Sequence, residues 1–338
     1  MLTRRHILAG LGGSFVAADL LLRPRTAIAA TAVRITHAIT SLAFLQSYVA
    51  AEKGYFAEEG LEAELVDTGG GGPDVQLVLS GRAEATVNDG VQVLPAIQQG
   101  QDLTCIRSLL NRSIVNVTMS SGTANRLSID ATTPFPEKIR LLKGLRLGAT
   151  RAGALTWQLA RFNLASAGLD PDTDAQVIAI GGPSALAAAL ENGAIDAIYI
   201  SMPVGEKLVA EGKAITFIDN ARGEDPKLAN FMMEGLWVTP SFLDANAELV
   251  ASIARAYAKA SQFVLSATAS EVTAVVMPAL GSLGEQTLTD AIERMKPAMS
   301  ADGRVLEAEL NATQDVLELN GFLNARIGLE RVFDDRFL

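Results

Sequence analysis

Short apolar runs alternate along the chain with stretches whose apolar residues recur every three or four positions, and turn residues separate them. Residues 33–37, 61–66, 83–88 and 103–110 have the length and β-branched content of strands. Residues 42–53, 73–80 and 90–99 carry helical periodicity between them. A further strand at 116–120 is expected to lead out of the first unit. A polar stretch at 121–143, with Pro134 and Pro136, reads as a crossover and a short helix. The alternation then starts again: strand 145–149, a turn at 150–156 opening a helix to Ser166, strand 176–180, a helix, strand 195–200, helix 204–211 and strand 215–219. Residues 237–240 read as the chain returning to the first unit. From Ala245 onward the pattern is helical, with Leu249, Ile253, Tyr257 and Phe263 near one face. Strand–helix alternation of this kind predicts an α/β class with mostly parallel sheets. The expected organisation is a first lobe of residues 31–120 plus 235–338, with a helical C-terminal tail, and a second lobe of residues 121–234.

One stretch is written twice. Gly69–Gly90 reads GGGGPDVQLVLSGRAEATVNDG, and Gly181–Ser201 reads GGPSALAAALENGAIDAIYIS. Both run from glycines and proline through an apolar helix to a polar-Gly turn and a strand. Ala85 is answered by Ala197, and Glu84 by Asp196. The offset of about 110 residues is too long for a solenoid unit and predicts two similar lobes. Turn–helix–turn–strand is also common grammar in α/β proteins, so the observed topology has to decide.

A chain of 338 residues, 49% hydrophobic and 20% charged, has the length of two ordinary domains. A net charge of −10 gives nucleic-acid binding no electrostatic support. Beyond the N-terminus no apolar run reaches the ~20 residues that span a bilayer. Residues 1–29 read as an export signal: Arg4-Arg5, an apolar region at 7–22, and the cleavage pattern Ala27-Ile28-Ala29. The Thr3–Leu8 segment resembles a twin-arginine signal. Its removal takes away four arginines and one aspartate and leaves a charge of about −13. The single cysteine, Cys105, excludes an internal disulfide and is expected to be a buried strand residue. No cysteine stands at the cleavage point to carry a lipid anchor. The expected location is the periplasm, soluble and unanchored.

Several ordered segments carry a family resemblance. Lys53–Leu61, KGYFAEEGL, resembles the GYF-x-x-EGL signature of bacterial substrate-binding proteins of the sulfonate, nitrate and taurine uptake group. This NMT1/THI5-like group also includes binders of thiamine-pyrimidine precursors. Ser80–Ala85 is similar to its S-G-x-x-D-A/F segment, with Glu84 where aspartate is usual. Leu142–Gly148 resembles its L-K-G-K-x-I-G strand entry, and Asn163–Leu169 its L-x-x-x-G-L helix end. The order and spacing of the set, over about 200 residues, carry the resemblance more than any one motif. It implies a type II periplasmic binding protein fold: two α/β lobes joined by two crossovers, with a ligand cleft between them. It also implies delivery of the ligand to the permease of an ABC importer by a monomeric protein without a cofactor.

In open α/β sheets, ligands bind beyond the carboxyl ends of strands. The expected site is therefore built from 37–44, 68–72 and Asn88-Asp89 in the first lobe, and from 150–156, Gly181-Gly182 and Ser201-Met202 in the second. Within these, His37, Thr40, Ser41, Phe44, Gly70, Gly71, Asn88, Asp89, Arg151, Gly153, Ala154, Trp157, Gly182, Ser201 and Met202 are the expected ligand-binding residues. Arg151 beside Gly153 has the chemistry to clamp a carboxylate or sulfonate, or to pair on the surface with an acid. His37 suits a ligand donor or a satisfied core histidine. Phe44 and Trp157 suit a ring stack or ordinary core packing. Asp89 suits a reader of a ligand amine or a cap of the helix after it, the cap foremost. One histidine remains after residue 29, so no Ser-His-Asp set is available, and no metal-ligand spacing stands out. The expected role is non-catalytic capture of a small organic solute, an anion such as a sulfonate or carboxylate. A pyrimidine-type heterocycle is the alternative ligand. A ligand-dependent sensor or an enzyme on the same architecture are the alternatives of another class.

Overall fold

The computed structural model describes residues 30–69, 72–129 and 132–338. The export-signal reading, Gly70 and Gly71 lie outside these residues. Among the described residues, ten strands form two five-stranded sheets. They are β1 (Thr31–His37), β2 (Leu61–Asp67), β3 (Ala85–Asn88), β4 (Thr104–Leu110), β5 (Val115–Ser120), β6 (Arg146–Ala149), β7 (Gln176–Ala179), β8 (Ala197–Ser201), β9 (Ala214–Ile218) and β10 (Glu234–Val238). The first sheet has the order β2-β1-β3-β10-β4, the second β7-β6-β8-β5-β9.

The two orders are the same pattern. β1 pairs in parallel with β2 and β3, and β6 with β7 and β8. One antiparallel strand then follows in each: β10 between β3 and β4, and β5 between β8 and β9. The written repeat therefore falls on equivalent strands, β3 and β8, each preceded by an equivalent helix, Pro73–Leu79 and Pro183–Glu191. The likeness reaches single atoms. The Glu84 carboxylate accepts the backbone N–H of Arg34 at 2.5 Å while the Glu84 N–H donates to the Arg34 carbonyl at 3.0 Å. Asp196 does the same with Arg146, at 2.9 and 2.8 Å. An acid just ahead of the central strand thus pins it to the strand beside it in both lobes.

The expected boundary at residue 120 is corrected. β5 belongs to the second sheet, so the first crossover falls at 111–114. The physical reason is the antiparallel slot: the chain enters the second lobe through β5 before any parallel strand there is built, and re-enters the first through β10. Sequence periodicity carries no information about which sheet such a strand joins. The helical tail is also not confined to the first lobe. Ala247–Ser266 packs on Leu45–Glu52, but Glu285–Met295 touches Val204–Ala210, and Glu307–Leu319 touches both Gly90–Gln98 and Leu155–Ser166.

Helices pack on both sheets. The inner strands are mostly buried, and so is every residue of β4, whereas the edge strands β2 and β7 are largely exposed or half-buried. Cys105 is one of the β4 residues, and burial pushes its thiol up to about 12. No helix among the described residues is long and apolar enough to cross a membrane.

Candidate functional site

The carboxyl ends of the central strands of both sheets face one another across a cavity of about 210 Å³. Ala38 and Ile39 follow β1, Asn88 and Asp89 follow β3, Thr150 and Arg151 follow β6, Gly181 and Gly182 come after β7, and Ser201 ends β8. Ala38, Ile39, Ala43, Phe44, Leu155 and Ile200 give it largely apolar walls. Hydrogen bonds between the lobes close it. Arg151 Nη2 donates to the Gly69 carbonyl at 2.9 Å, Gln92 Nε2 to the Gly153 carbonyl at 3.0 Å, and Leu42 N–H to the Met202 carbonyl at 3.3 Å. The Ser41 hydroxyl also donates to that Met202 carbonyl, at 3.2 Å.

The two walls differ in charge. On the first lobe β3 ends at Asn88, and Asp89 caps the helix Gly90–Gln98, its carboxylate accepting the Gln92 N–H at 2.9 Å. Glu234 begins β10. The antiparallel register sets Gly235 opposite Asn88, which brings Glu234 beside Asp89. Asp74, in the helix Pro73–Leu79, lies behind them, fully buried. Burial and mutual repulsion push these acids up: Asp89 to about 7, Glu234 well above the usual carboxylate range, and Asp74 upward chiefly through burial. Gly235 is required here, because a Cβ would meet the Cys105 sulfur at 2.8 Å and the Trp237 indole at 3.1 Å. Trp237 fills that space, and its indole N–H donates to the Asn88 carbonyl at 2.9 Å.

The second-lobe wall is made of amides. Thr150 N–H donates to the Thr156 hydroxyl at 3.0 Å, which ties the turn after β6. The helices Leu155–Ser166 and Pro183–Glu191 start at Ala154 and Gly182, and no side chain caps either one. Their first N–H groups and the Arg151 guanidinium make this wall suited to negative charge or to acceptor oxygens.

Of the expected site residues, Ser41, Phe44, Asn88, Asp89, Arg151, Ala154, Gly182 and Ser201 line this cavity. Thr40 and Met202 line a second, more open cavity of about 560 Å³ that shares Ser41, Gly69, Gly182 and Ser201 with the first. Three expected residues are placed elsewhere. His37 is buried behind Phe44, its ring stacked on that phenyl at 4.8 Å and edge-on to Tyr48 at 5.7 Å; burial pushes its pKa down. Gly153 contributes its carbonyl to Gln92 but does not line the cavity. Trp157 faces the C-terminal tail, edge-on to Phe322 at 6.1 Å and under the Arg161 guanidinium at 4.6 Å. Leu155 and Thr156 line the cavity, and the step of about 100° from Thr156 to the next helical position turns the Trp157 indole away from it. The expected cap at Asp89 and the buried strand position of Cys105 are both found.

Gln92, Ile200 and Glu234 line the cavity without having been singled out in the sequence. Glu234 had a legible signal: a lone acid opening the apolar run Gly235-Leu236-Trp237-Val238. Among the described residues, no group of three or more His, Cys, Asp or Glu is placed to hold a metal ion.

Comparison with known proteins agrees with this architecture. The family model described as NMT1/THI5 like matches residues 42–269. A provisionally named binding protein of Bacillus subtilis, YtlA, is 22% identical over 303 residues, covering 88% of this chain and 86% of its own. A solved structure from Bordetella bronchiseptica RB50 superposes with a TM-score of 0.77 at 23% identity, covering 91% of this chain and 95% of that one. The periplasmic aliphatic sulphonate binding protein SsuA of Escherichia coli superposes with a TM-score of 0.67 at 15% identity, over 90% and 97% of the two chains. The fold is that of the type II periplasmic binding proteins.

Proposed function

Because the chain belongs to the NMT1/THI5-like family, we propose that it is an exported, non-catalytic receptor that closes its two lobes on a small organic solute and delivers it to the permease of an ABC importer. The observation that carries this reading is the cavity itself. It sits where ligands of open α/β sheets sit, and both lobes contribute walls to it. The names of similar proteins, a binding protein and a sulphonate-binding one, support the same role. Apolar walls suit a carbon skeleton better than a bare inorganic anion such as nitrate. Arg151 and the uncapped helix ends suit an anionic group, a sulfonate or carboxylate, at the second-lobe end. Fold alone does not separate binding from catalysis. Here the only cysteine is buried in β4, away from the cavity lining, and the one described histidine is walled off by Phe44. The periplasmic location rests on the N-terminal signal reading.

The test is a thermal-shift panel of sulfonates, carboxylates, nitrate and pyrimidines. A solute at 100 times its dissociation constant adds about 2.7 kcal/mol of stability. The reading expects a rise in Tm with organic solutes and none with nitrate. If no solute raises Tm and native mass spectrometry finds nothing bound to the purified protein, the reading fails. Arg151→Ala is expected to weaken an anionic solute by about 1 kcal/mol, a modest loss because this arginine is exposed at the cavity edge.

A further inference from the structure

We infer that the first-lobe wall of the cavity is a subsite for a protonated nitrogen group of the solute, held by the carboxylates of Asp89 and Glu234 and flanked by Asn88. This rests on the solute-receptor reading above and names the other end of the molecule that it captures.

The placement of Glu234 is the first argument. It is 4% exposed, lines the cavity, and its Oε2 has no hydrogen-bond partner. A buried acid without a partner is costly, and natural interiors seldom keep one without a use. The register of β3 and β10 sets it beside a second acid, Asp89, although like charges in adjacent positions of a sheet repel. A third acid, Asp74, lies behind them, fully buried. The protein groups that act on Glu234 electrostatically are Asp89 and Asp74; none is a cation. The wall therefore brings two acids to the lining of a closed space and provides no positive charge of its own. Arg151 faces the same cavity from the opposite lobe, where it donates to Gly69.

Asn88 also lines the cavity, 3% exposed, and its carboxamide lies beside the Asp74 carboxyl. A metal ion is the other cation such a wall could attract, but these acids are not arranged as a ligand set. The surrounding lining is apolar, which suits an organic cation.

Repulsion and burial hold protons on these acids in the unliganded wall. A ligand cation takes the place of those protons, so its binding releases protons near neutral pH. Nothing in this exchange breaks a covalent bond: the carboxyl O–H proton leaves to solvent as the ligand's N–H donors take its position.

Matched probes test the inference. Ethanesulfonate and 2-aminoethanesulfonate differ by one ammonium; pyrimidine and 4-aminopyrimidine differ by one amino group on a protonatable ring. The amine-bearing member of at least one pair is expected to bind on the order of 10- to 100-fold more tightly, the range for a charge-assisted hydrogen bond. Which pair shows it separates an aliphatic ammonium from a ring nitrogen. Glu234→Gln is expected to bring the ratio within that pair towards one. Calorimetry of the unaltered protein, in two buffers of different ionisation heat, is expected to show proton release with 2-aminoethanesulfonate, which arrives already protonated, and none with 4-aminopyrimidine, whose ring takes up the wall's proton; this arm does not depend on the variant folding. Tighter binding of the members without the amino group, or a ratio that survives Glu234→Gln, overturns the inference and leaves the receptor reading standing. Binding of 2-aminoethanesulfonate without proton release also overturns it. If no member of either pair binds, both the inference and the receptor reading lose their support.

Discussion

The two lobes share a topology and differ at the one surface where they meet. β3 and β8 are the same strand written twice, each pinned by an acid to the backbone of its neighbour. At the carboxyl end the likeness stops. The first lobe presents Asp89 and Glu234, the second presents Arg151 and two helix starts that no side chain caps. What the repeat conserves is scaffold: strand order, register and the acid–amide clamp. What it leaves free are the loops past the strand ends, where function is placed on a rigid frame. The same division holds for acids inside the protein. Asp196 meets three kinds of donor, from Arg146, Arg126 and Thr123, and its carboxyl is held far below the usual range. Glu234 meets none and is pushed up.

The comparison breaks most visibly at the clamps. Asp196 is buried and carries two arginine partners besides the backbone, whereas Glu84 is half-buried. Asp196→Ala is expected to lower stability by about 3 kcal/mol, and Glu84→Ala by about 1 kcal/mol, in urea unfolding at pH 7. Equal losses would mean that the arginines around Asp196 add nothing. The pH dependence has a sign. The folded pKa of Asp196 is depressed, so its contribution is complete above the ordinary value of 3.8 and disappears as pH falls from there through the folded pKa.

The cavity acids behave the opposite way. Asp89 is raised to about 7, so the folded state holds a proton that the unfolded state has lost between about pH 4 and 7. Stability from this group therefore falls as pH rises across that window. Asp89→Asn keeps a capping side chain and removes the titration. The variant is expected to gain on the unaltered protein by about 2 kcal/mol between pH 5 and 8, read as the difference in Tm across pH. A constant difference across that range would mean that Asp89 titrates normally.

The smallest effect concerns the tryptophans. Trp157 packs outside the cavity, and Trp237 lies behind it, bonded to the carbonyl of the lining residue Asn88. Trp157→Phe is expected to cost about 1 kcal/mol of stability and leave solute affinity unchanged within twofold. A larger change in affinity would put the helix Leu155–Ser166 under the control of its outer face.

Much of this was legible in the chain. The periodicity located nine of the ten described strands to within a few residues, β10 being read only as the chain's return to the first unit, and the written repeat marked two lobes because local pattern decides strand and helix before any sheet forms. The cap at Asp89 and the burial of Cys105 followed from their neighbours in sequence. Three things were not legible. The sheet that β5 joins depends on an antiparallel slot opened by distant strands. The direction of Trp157 depends on where its helix starts, because each residue turns the face by about 100°. Glu234 reaches the cavity only through the pairing of β10 with β3, 147 residues apart at the Gly235–Asn88 pair. The site residues that the sequence marked best follow strands directly. Those it missed or misplaced depend on long-range register or helix phase.

The most direct test of capture between the lobes is a titration of Trp237 fluorescence in the Trp157→Phe protein, with sulfonates, carboxylates and aminopyrimidines. The indole N–H of Trp237 is bonded to the carbonyl of Asn88, a residue that lines the cavity, so a bound solute should be felt there. The account predicts a saturable change with one solute per chain, lost when both walls are altered by Glu234→Gln with Arg151→Ala. A solute that raises Tm while leaving Trp237 emission unchanged would place binding elsewhere and contradict it.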